Sequence, residues 1–190
     1  MDQPVLDIHY DLIQLCKAGD SSAYQKLYRL YAKAMYNVSY RIVGREEDAE
    51  DATQEAFISA FKNLGSYRGD ATFGAWLKRI VVNKAINILK KRREEAIPEH
   101  ENFDIAEEED TIEYKEGLTV ERVRTAIHQL PDGYRTVLSL YLLEGYDHQE
   151  IAEIMGITES TSKSQLNRAK SKLREFLTQG YKLGELKNKA

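Results

Sequence analysis

One cysteine, Cys16, is all that the 190-residue chain contains. A single thiol closes no internal disulfide and builds no cysteine-rich zinc site. Its place inside an apolar helical pattern reads as a small buried side chain. Proline is almost as scarce, with three in all, and good helix formers dominate the rest. No apolar run is long enough to cross a bilayer. Residues 1–10 lack the basic region and apolar stretch of a secretion signal, so a cytoplasmic protein is expected. The four histidines, His9, His100, His128 and His148, are scattered. None joins a metal-spaced or nucleophile–base motif, so neither enzymatic activity nor a cofactor or metal is expected. No stretch alternates with period two, so no sheet is expected and the fold class is all-α.

Charge is present in quantity but unevenly. The net charge is −4, yet residues 94–116 carry 11 acidic side chains against one lysine. The blocks on either side are therefore net basic, and local rather than overall charge governs attraction to nucleic acid. The acidic stretch, with weak periodicity, reads as a flexible linker. Its run Glu107, Glu108, Glu109 and Asp110 reads as solvated charge in preference to a metal site. Two small helical domains are expected, at 5–93 and 118–180, joined by the acidic linker 94–117.

In the first block a helix over 7–18 stops at Gly19. Asp20 caps a second helix, with Tyr24, Leu27, Tyr28, Leu30, Tyr31, Met35, Val38 and Ile42 at spacings of three and four, ending at Gly44. The tyrosines read as packing at the edge of the core with wet hydroxyls. A third helix starts near Glu46 and carries Ala49, Ala52, Ala56, Phe57, Ala60, Phe61 and Leu64. After a loop over 65–70, Thr72 caps a fourth helix that runs to about Arg93. On it Trp76, Arg79, Asn83, Asn87 and Lys90 share one face, and Leu77, Ile80, Val81, Ala85 and Ile88 the other. Asn is a poor mid-helix residue, so two within one basic stripe suggest a nucleic-acid surface, with the loop able to cover an extruded base. The residues alone leave a plain polar face equally open.

The second block predicts helices over 119–130, stopped by Pro131, and 133–143. A helix-turn-helix follows. Asp147 and Glu150 form a capping box, and Ile151, Ile154 and Met155 an apolar stripe. Ala152 lets a second helix cross closely, Gly156 turns the chain, Ile157 plugs the corner and Thr158 caps the second helix. Leu166, Ala169 and Leu173 hold that helix to the core. Lys163, Ser164, Asn167, Arg168, Lys170 and Ser171 fill its outer surface with groups that bind phosphates and read base edges. The agreement of cap, small residue, turn glycine and basic face favours duplex DNA binding over an ordinary amphipathic pair.

Four stretches in this order carry a wider resemblance: residues 23–44 with Leu-Tyr-Arg-Leu-Tyr; D-A-E-D-A-T-Q-E-A-F at 48–57; Y-R-G-D-A-T-F-G-A-W-L-K-R-I-V-V-N-K-A at 67–85; and L-P-D-G-Y-R-T-V-L at 130–138, followed by the helix-turn-helix. Over almost everything outside the acidic stretch, the chain resembles the ECF (extracytoplasmic-function) group of bacterial sigma factors in the sigma-70 family. The resemblance implies a sigma initiation factor that directs RNA polymerase to promoters and helps to melt them. Asp48, Asp51, Gln54 and Glu55 match the face that grips the coiled coil of the largest subunit of core RNA polymerase, and a carboxylate-rich face suits a basic partner. Loop 65–74 and Asn83 match the pocket for a flipped minus-ten base, with Lys78, Arg79, Lys84 and Asn87 alongside for the adjoining promoter DNA. Trp76 matches a core position. Lys163, Ser164, Asn167 and Arg168 match the positions that read the minus-thirty-five element. The acidic stretch matches a linker along the RNA path, and an anti-sigma factor is an implied partner, the only route by which membrane contact is expected.

The chain departs from that pattern at Ser162, where an apolar residue is usual, at Gln165, where Arg is frequent, and at Asn167, where bulkier residues are common. Residues 184–190 match nothing and read as a disordered tail. The rival reading is a stand-alone dimeric helix-turn-helix regulator on a two-fold operator. It accounts for residues 130–177 but not for the stripe around Asn83.

Overall fold

The computed structural model describes residues 7–95 and 118–187, and the chain divides between Glu95 and Ala96 into two units, each with its own core. The described residues form helices and turns without a strand, and among them no helix is long and apolar enough to cross a membrane. Residues 96–117, most of the expected linker including the Glu107–Asp110 run, lie outside the described residues.

The first unit holds α1 (Tyr10–Lys17), α2 (Ser21–Val43), α3 (Glu46–Lys62), a single 3-10 turn (Leu64–Ser66) and α4 (Phe73–Glu95). Asp20 caps α2 by accepting from the backbone N–H groups of Ser22 (2.8 Å) and Ala23 (3.1 Å), and Gly44 ends it in the left-handed region at φ 71°, where glycine carries no steric cost. Ala49, Ala52, Ala56 and Ala60 form a fully buried stripe along α3. Small side chains there let α3 lie close to both α2 and α4. The core between them holds Leu27, Ile42, Val43, Phe73, Leu77, Val81, Val82 and Ala85, all at 0% exposure. Along the edge, Tyr24, Tyr28 and Tyr31 set their rings against Phe61, Phe57 and Phe73 at 4.9, 4.7 and 5.2 Å. These T-shaped contacts suit the ring quadrupoles and accord with edge packing. The first helix starts three residues later than its expected bound at Asp7. The Asp7 side chain is instead drawn inward, to the start of α4.

The second unit holds α5 (Val120–His128), α6 (Asp132–Leu142), α7 (His148–Met155) and α8 (Glu159–Lys187). Thr119 caps α5 by accepting from the Arg122 N–H at 3.2 Å. The capping box of Asp147 and Glu150 is formed in both directions, and Gly156 takes φ 71° between α7 and α8. α8 packs on α5, α6 and α7 around Ala126, Leu130, Val137, Leu138, Leu140, Ile151, Leu166 and Ala169. Arg135 enters this core: 4% exposed, it donates to the Leu130 carbonyl at 3.0 Å and pairs with Asp132 at 2.5 Å. A buried guanidinium is tolerable only with such partners. At its far end α8 continues to Lys187, past the expected bound at 180, and takes in residues 184–187 of the stretch expected to be a disordered tail. Residues 184–187 have no counterpart in the family pattern, but Lys, Leu and Glu among them are good helix formers, and a mid-helix glycine costs only about 1 kcal/mol against alanine. Residues 188–190 lie outside the described residues.

Burial, reinforced by the charge of Arg135, pulls the His128 imidazole below its ordinary 6.5. The folded state therefore favours the neutral ring, and the unfolded state takes up the proton first. The stability tied to His128 is complete above pH 6.5 and is lost as pH falls through 6.5 toward the lowered folded value. His128→Gln should thus shrink the drop in melting temperature between pH 8 and pH 5.5, measured by thermal circular dichroism. An unchanged drop would contradict this assignment.

Candidate nucleic-acid interface

α4 is two-faced, and the burial pattern decides which way each face points. Leu77, Val81, Val82, Ala85 and Ile86 are buried, whereas Arg79, Asn83, Asn87 and Lys90 are exposed. Val82 and Ile86 widen the apolar face beyond the residues that spacing alone singled out. Trp76 is half-buried, with its ring 5.4 Å from that of Tyr67 and 5.6 Å from that of Phe73, so it packs rather than standing out as a platform. The stripe Arg79, Asn83, Asn87 offers guanidinium and amide donors and acceptors along one line of the helix, the groups that bind phosphates and base edges.

Lys78 and Lys84 flank the stripe, both half-buried. The Lys84 ammonium lies 3.1 Å from a Glu55 carboxylate oxygen. It thereby joins two sets of candidates that the sequence keeps 29 residues apart. A surface pair of this kind contributes about 0–1 kcal/mol, small enough for either partner to exchange it for a phosphate or a basic side chain. Asp48 is ion-paired with Arg92, whose guanidinium also reaches the Val43 carbonyl at 3.4 Å. It is thus tied to the fold, whereas Asp51, Gln54 and Glu55 are exposed. Ile58, 54% exposed, continues the same α3 face and was missed among the candidates. Its signal was its place three and four residues beyond Glu55 and Gln54.

Ahead of α4, the loop turns through Gly69 at φ 85°. The Tyr67 hydroxyl donates to the Ala71 carbonyl at 2.8 Å, and the Lys17 ammonium donates to the Tyr67 carbonyl at 2.9 Å. Arg68, Asp70, Ala71 and Thr72 are exposed. Asn83 lies ten residues into α4 from Phe73, roughly 15 Å along the axis at 1.5 Å per residue.

In the helix-turn-helix, Thr158 Oγ1 accepts from the Thr161 N–H at 3.0 Å to start α8. Ser162, Leu166 and Ala169 turn inward, buried at spacings of four and three. Lys163, Ser164, Asn167 and Arg168 are thereby exposed on the opposite side, in the N-terminal half of α8. Lys163 pairs with Glu159 at 2.6 Å, and the Ser164 hydroxyl donates to the Thr161 carbonyl at 3.0 Å, leaving its oxygen as an acceptor. Ser162, at a position where an apolar residue is usual, has a partner: its Oγ is 2.9 Å from His148 Nδ1. The His148 ring in turn stacks on Tyr141 at 4.6 Å. Among the described residues no group of three or more His, Cys, Asp or Glu side chains is placed to hold a metal.

Residues 27–95 match the family described as Sigma-70 region 2, and residues 120–173 the family described as Sigma-70, region 4. The chain is 31% identical over 179 residues to the ECF RNA polymerase sigma factor SigW of Bacillus subtilis, covering 87% of this chain and 94% of that one. It is 32% identical over 166 residues to the ECF RNA polymerase sigma factor SigE of Mycolicibacterium smegmatis, covering 84% of this chain and 64% of that protein's length. A solved structure of the sigma factor RpoE with the anti-sigma factor NepR from Bartonella quintana shares the fold at a TM-score of 0.55 and 22% identity, covering 82% of this chain and 96% of that one.

The Ser162–His148 bond has a measurable consequence for the helix-turn-helix. In a double-mutant cycle of Ser162→Ala and His148→Ala, followed by thermal unfolding, the coupling should be about 0.5–1.5 kcal/mol, the usual net value of one hydrogen bond. Strict additivity of the two losses would contradict the bond.

Proposed function

The chain belongs to the ECF sigma factors of the sigma-70 family, and from that premise we propose that its two units divide promoter recognition between them. The exposed α3 face of Asp51, Gln54 and Glu55, with Asp48 at its head and Ile58 beyond, docks on core RNA polymerase. The α4 stripe takes the minus-ten element: Arg79, Lys78 and Lys84 hold the backbone, Asn83 meets a base turned out of the stack, and Asn87 extends the surface. In the second unit α8 enters the major groove upstream, with Lys163, Ser164, Asn167 and Arg168 on the minus-thirty-five element. The observation that carries this reading is the two-sided α4, whose polar stripe a plain helix-turn-helix regulator leaves without a task.

The chemistry of RNA synthesis belongs to the polymerase, not to this chain, and opening is a binding effect. Separating the strands is unfavourable, and contacts that exist only in the open form offset it. A lone helix-turn-helix buries little DNA surface, so the free chain should bind promoters weakly and rely on the polymerase. Such a protein works in the cytoplasm. The RpoE structure with its anti-sigma factor supports a similar partner here, one that covers the polymerase and DNA faces until a signal releases them.

Two substitutions test the assignment. Asn83→Ala should slow open-complex formation on a duplex promoter about tenfold, within the roughly 1–3 kcal/mol of one base-reading contact, and affect a premelted promoter much less. An equal loss on both would sink the base role. Arg168→Ala should weaken holoenzyme binding to promoters that carry the upstream element by a similar factor. Equal weakening on promoters without the element would show that Arg168 reads no base there.

A further inference from the structure

We propose that Asp7 is a positioning residue for promoter opening, clamping the start of α4 and the loop before it so that the minus-ten surface is formed in advance of DNA. The proposal deepens the minus-ten reading of α4 and rests on it.

Asp7 is 7% exposed, and a buried carboxylate is costly unless its oxygens are bonded. Here both are. Oδ1 accepts from the His9 N–H at 2.8 Å. Oδ2 accepts from the Phe73 N–H at 2.5 Å and lies 3.3 Å from the Tyr67 hydroxyl. Burial pushes the carboxyl up, but the bonds from Phe73, His9 and Tyr67 outweigh it and hold the group below its ordinary 3.8, so it is ionised at neutral pH. The Tyr67 hydroxyl, pushed up to about 12 by burial and by the Asp7 charge, stays protonated, and its single proton is shared between the Ala71 carbonyl at 2.8 Å and Asp7 Oδ2 at 3.3 Å.

The place of these bonds is the reason to assign Asp7 a role beyond stability. Phe73 is the first residue of α4, and its N–H is one of the donors that a helix leaves without an internal partner. Thr72 supplies the local cap, accepting from the Ala75 N–H at 3.3 Å. Asp7 supplies a second cap from 66 residues away, with its charge at the positive end of the helix dipole. Around it the same junction is bolted from several sides. The Tyr31 ring sits against Phe73 at 5.2 Å while its hydroxyl meets His9 Nδ1 at 3.0 Å. A Cβ on Gly74 would come within 2.9 Å of that Tyr31 ring, so the closeness of the contact requires glycine. These bonds lie on the inner side of the loop, and its exposed side carries Arg68, Asp70, Ala71 and Thr72. A loop held from within in this way meets a strand without first being ordered, and prior ordering is what lowers the cost of binding. Without Asp7, that ordering has to occur during opening.

The test uses full-length chain in holoenzyme, with the duplex promoter fragment that gives the strongest run-off transcript and the same fragment carrying a premelted bubble. Asp7→Asn keeps the shape but removes the charge and turns an N–H₂ toward one of the donors. It should slow opening of the duplex about tenfold, slow the premelted fragment far less, and leave affinity for core polymerase within about twofold, since the α3 face is untouched. Tyr67→Phe should do the same to a smaller degree, and it decides the matter if Asp7→Asn does not fold. Wild-type opening rates in a folded variant would overturn the proposal while leaving the sigma reading intact. A parallel loss of polymerase affinity and opening would also overturn it, by showing a general effect on the fold. Equal slowing of the duplex and the premelted fragment by Asn83→Ala in the same assay would instead strike at the minus-ten reading itself.

Discussion

The orientation of α4 is the constraint on which the N-terminal unit depends. Its buried face carries Leu77, Val81, Val82 and Ile86, and each such side chain is worth about 1.5–3 kcal/mol when taken out of water. Rotating the helix would forfeit several of these at once. The stripe of Arg79, Asn83 and Asn87 on the other side is therefore aimed by packing it takes no part in. By contrast, the surface pair of Lys84 and Glu55 contributes about 0–1 kcal/mol, so it can adjust the edge of the surface but not its direction. The alanine stripe of α3 is the other half of the same device, because only small side chains let α3 approach closely enough to close the core.

The second unit solves the same problem on a smaller scale. α8 buries Ser162, Leu166 and Ala169 and so turns Lys163, Ser164, Asn167 and Arg168 outward. What differs is a polar bond inside that face, between Ser162 and His148, in place of an apolar contact. A hydrogen bond is more directional than a methyl contact, so it holds the turn between α7 and α8 to one register. Both units thus present an exposed polar helix face as the by-product of a core. That suits a sigma factor, whose work is recognition.

The helices and their caps were legible because they rest on local signals: Asp20 and Asp147 before apolar periodicity, Gly44 and Gly156 after it. The two-faced character of α4 was legible as spacing, and the order of four motifs along the chain supplied the family. What remained hidden were the pairings that only tertiary structure creates. Nothing near Asp7 in the sequence announces Phe73 as its partner, and a short-range reading made it the start of α1. Likewise, Asp48 and Glu55 looked alike as acidic residues on one helix, yet the first is tied to Arg92 and the second to Lys84. Ser162 stood out as a departure from the expected pattern, and its explanation lay 14 residues away in His148. The continuation of α8 to Lys187 was missed because absence of resemblance was read as absence of structure.

Run-off transcription is the most direct measurement of the central claim, with bacterial core polymerase on fragments of the source genome, in the presence and absence of this chain. A sigma factor should produce new transcripts that start a fixed distance below one shared pair of motifs, with one chain per polymerase. No new transcripts, together with two copies of the chain bound to a palindromic fragment without polymerase, would contradict the account and restore the dimeric regulator.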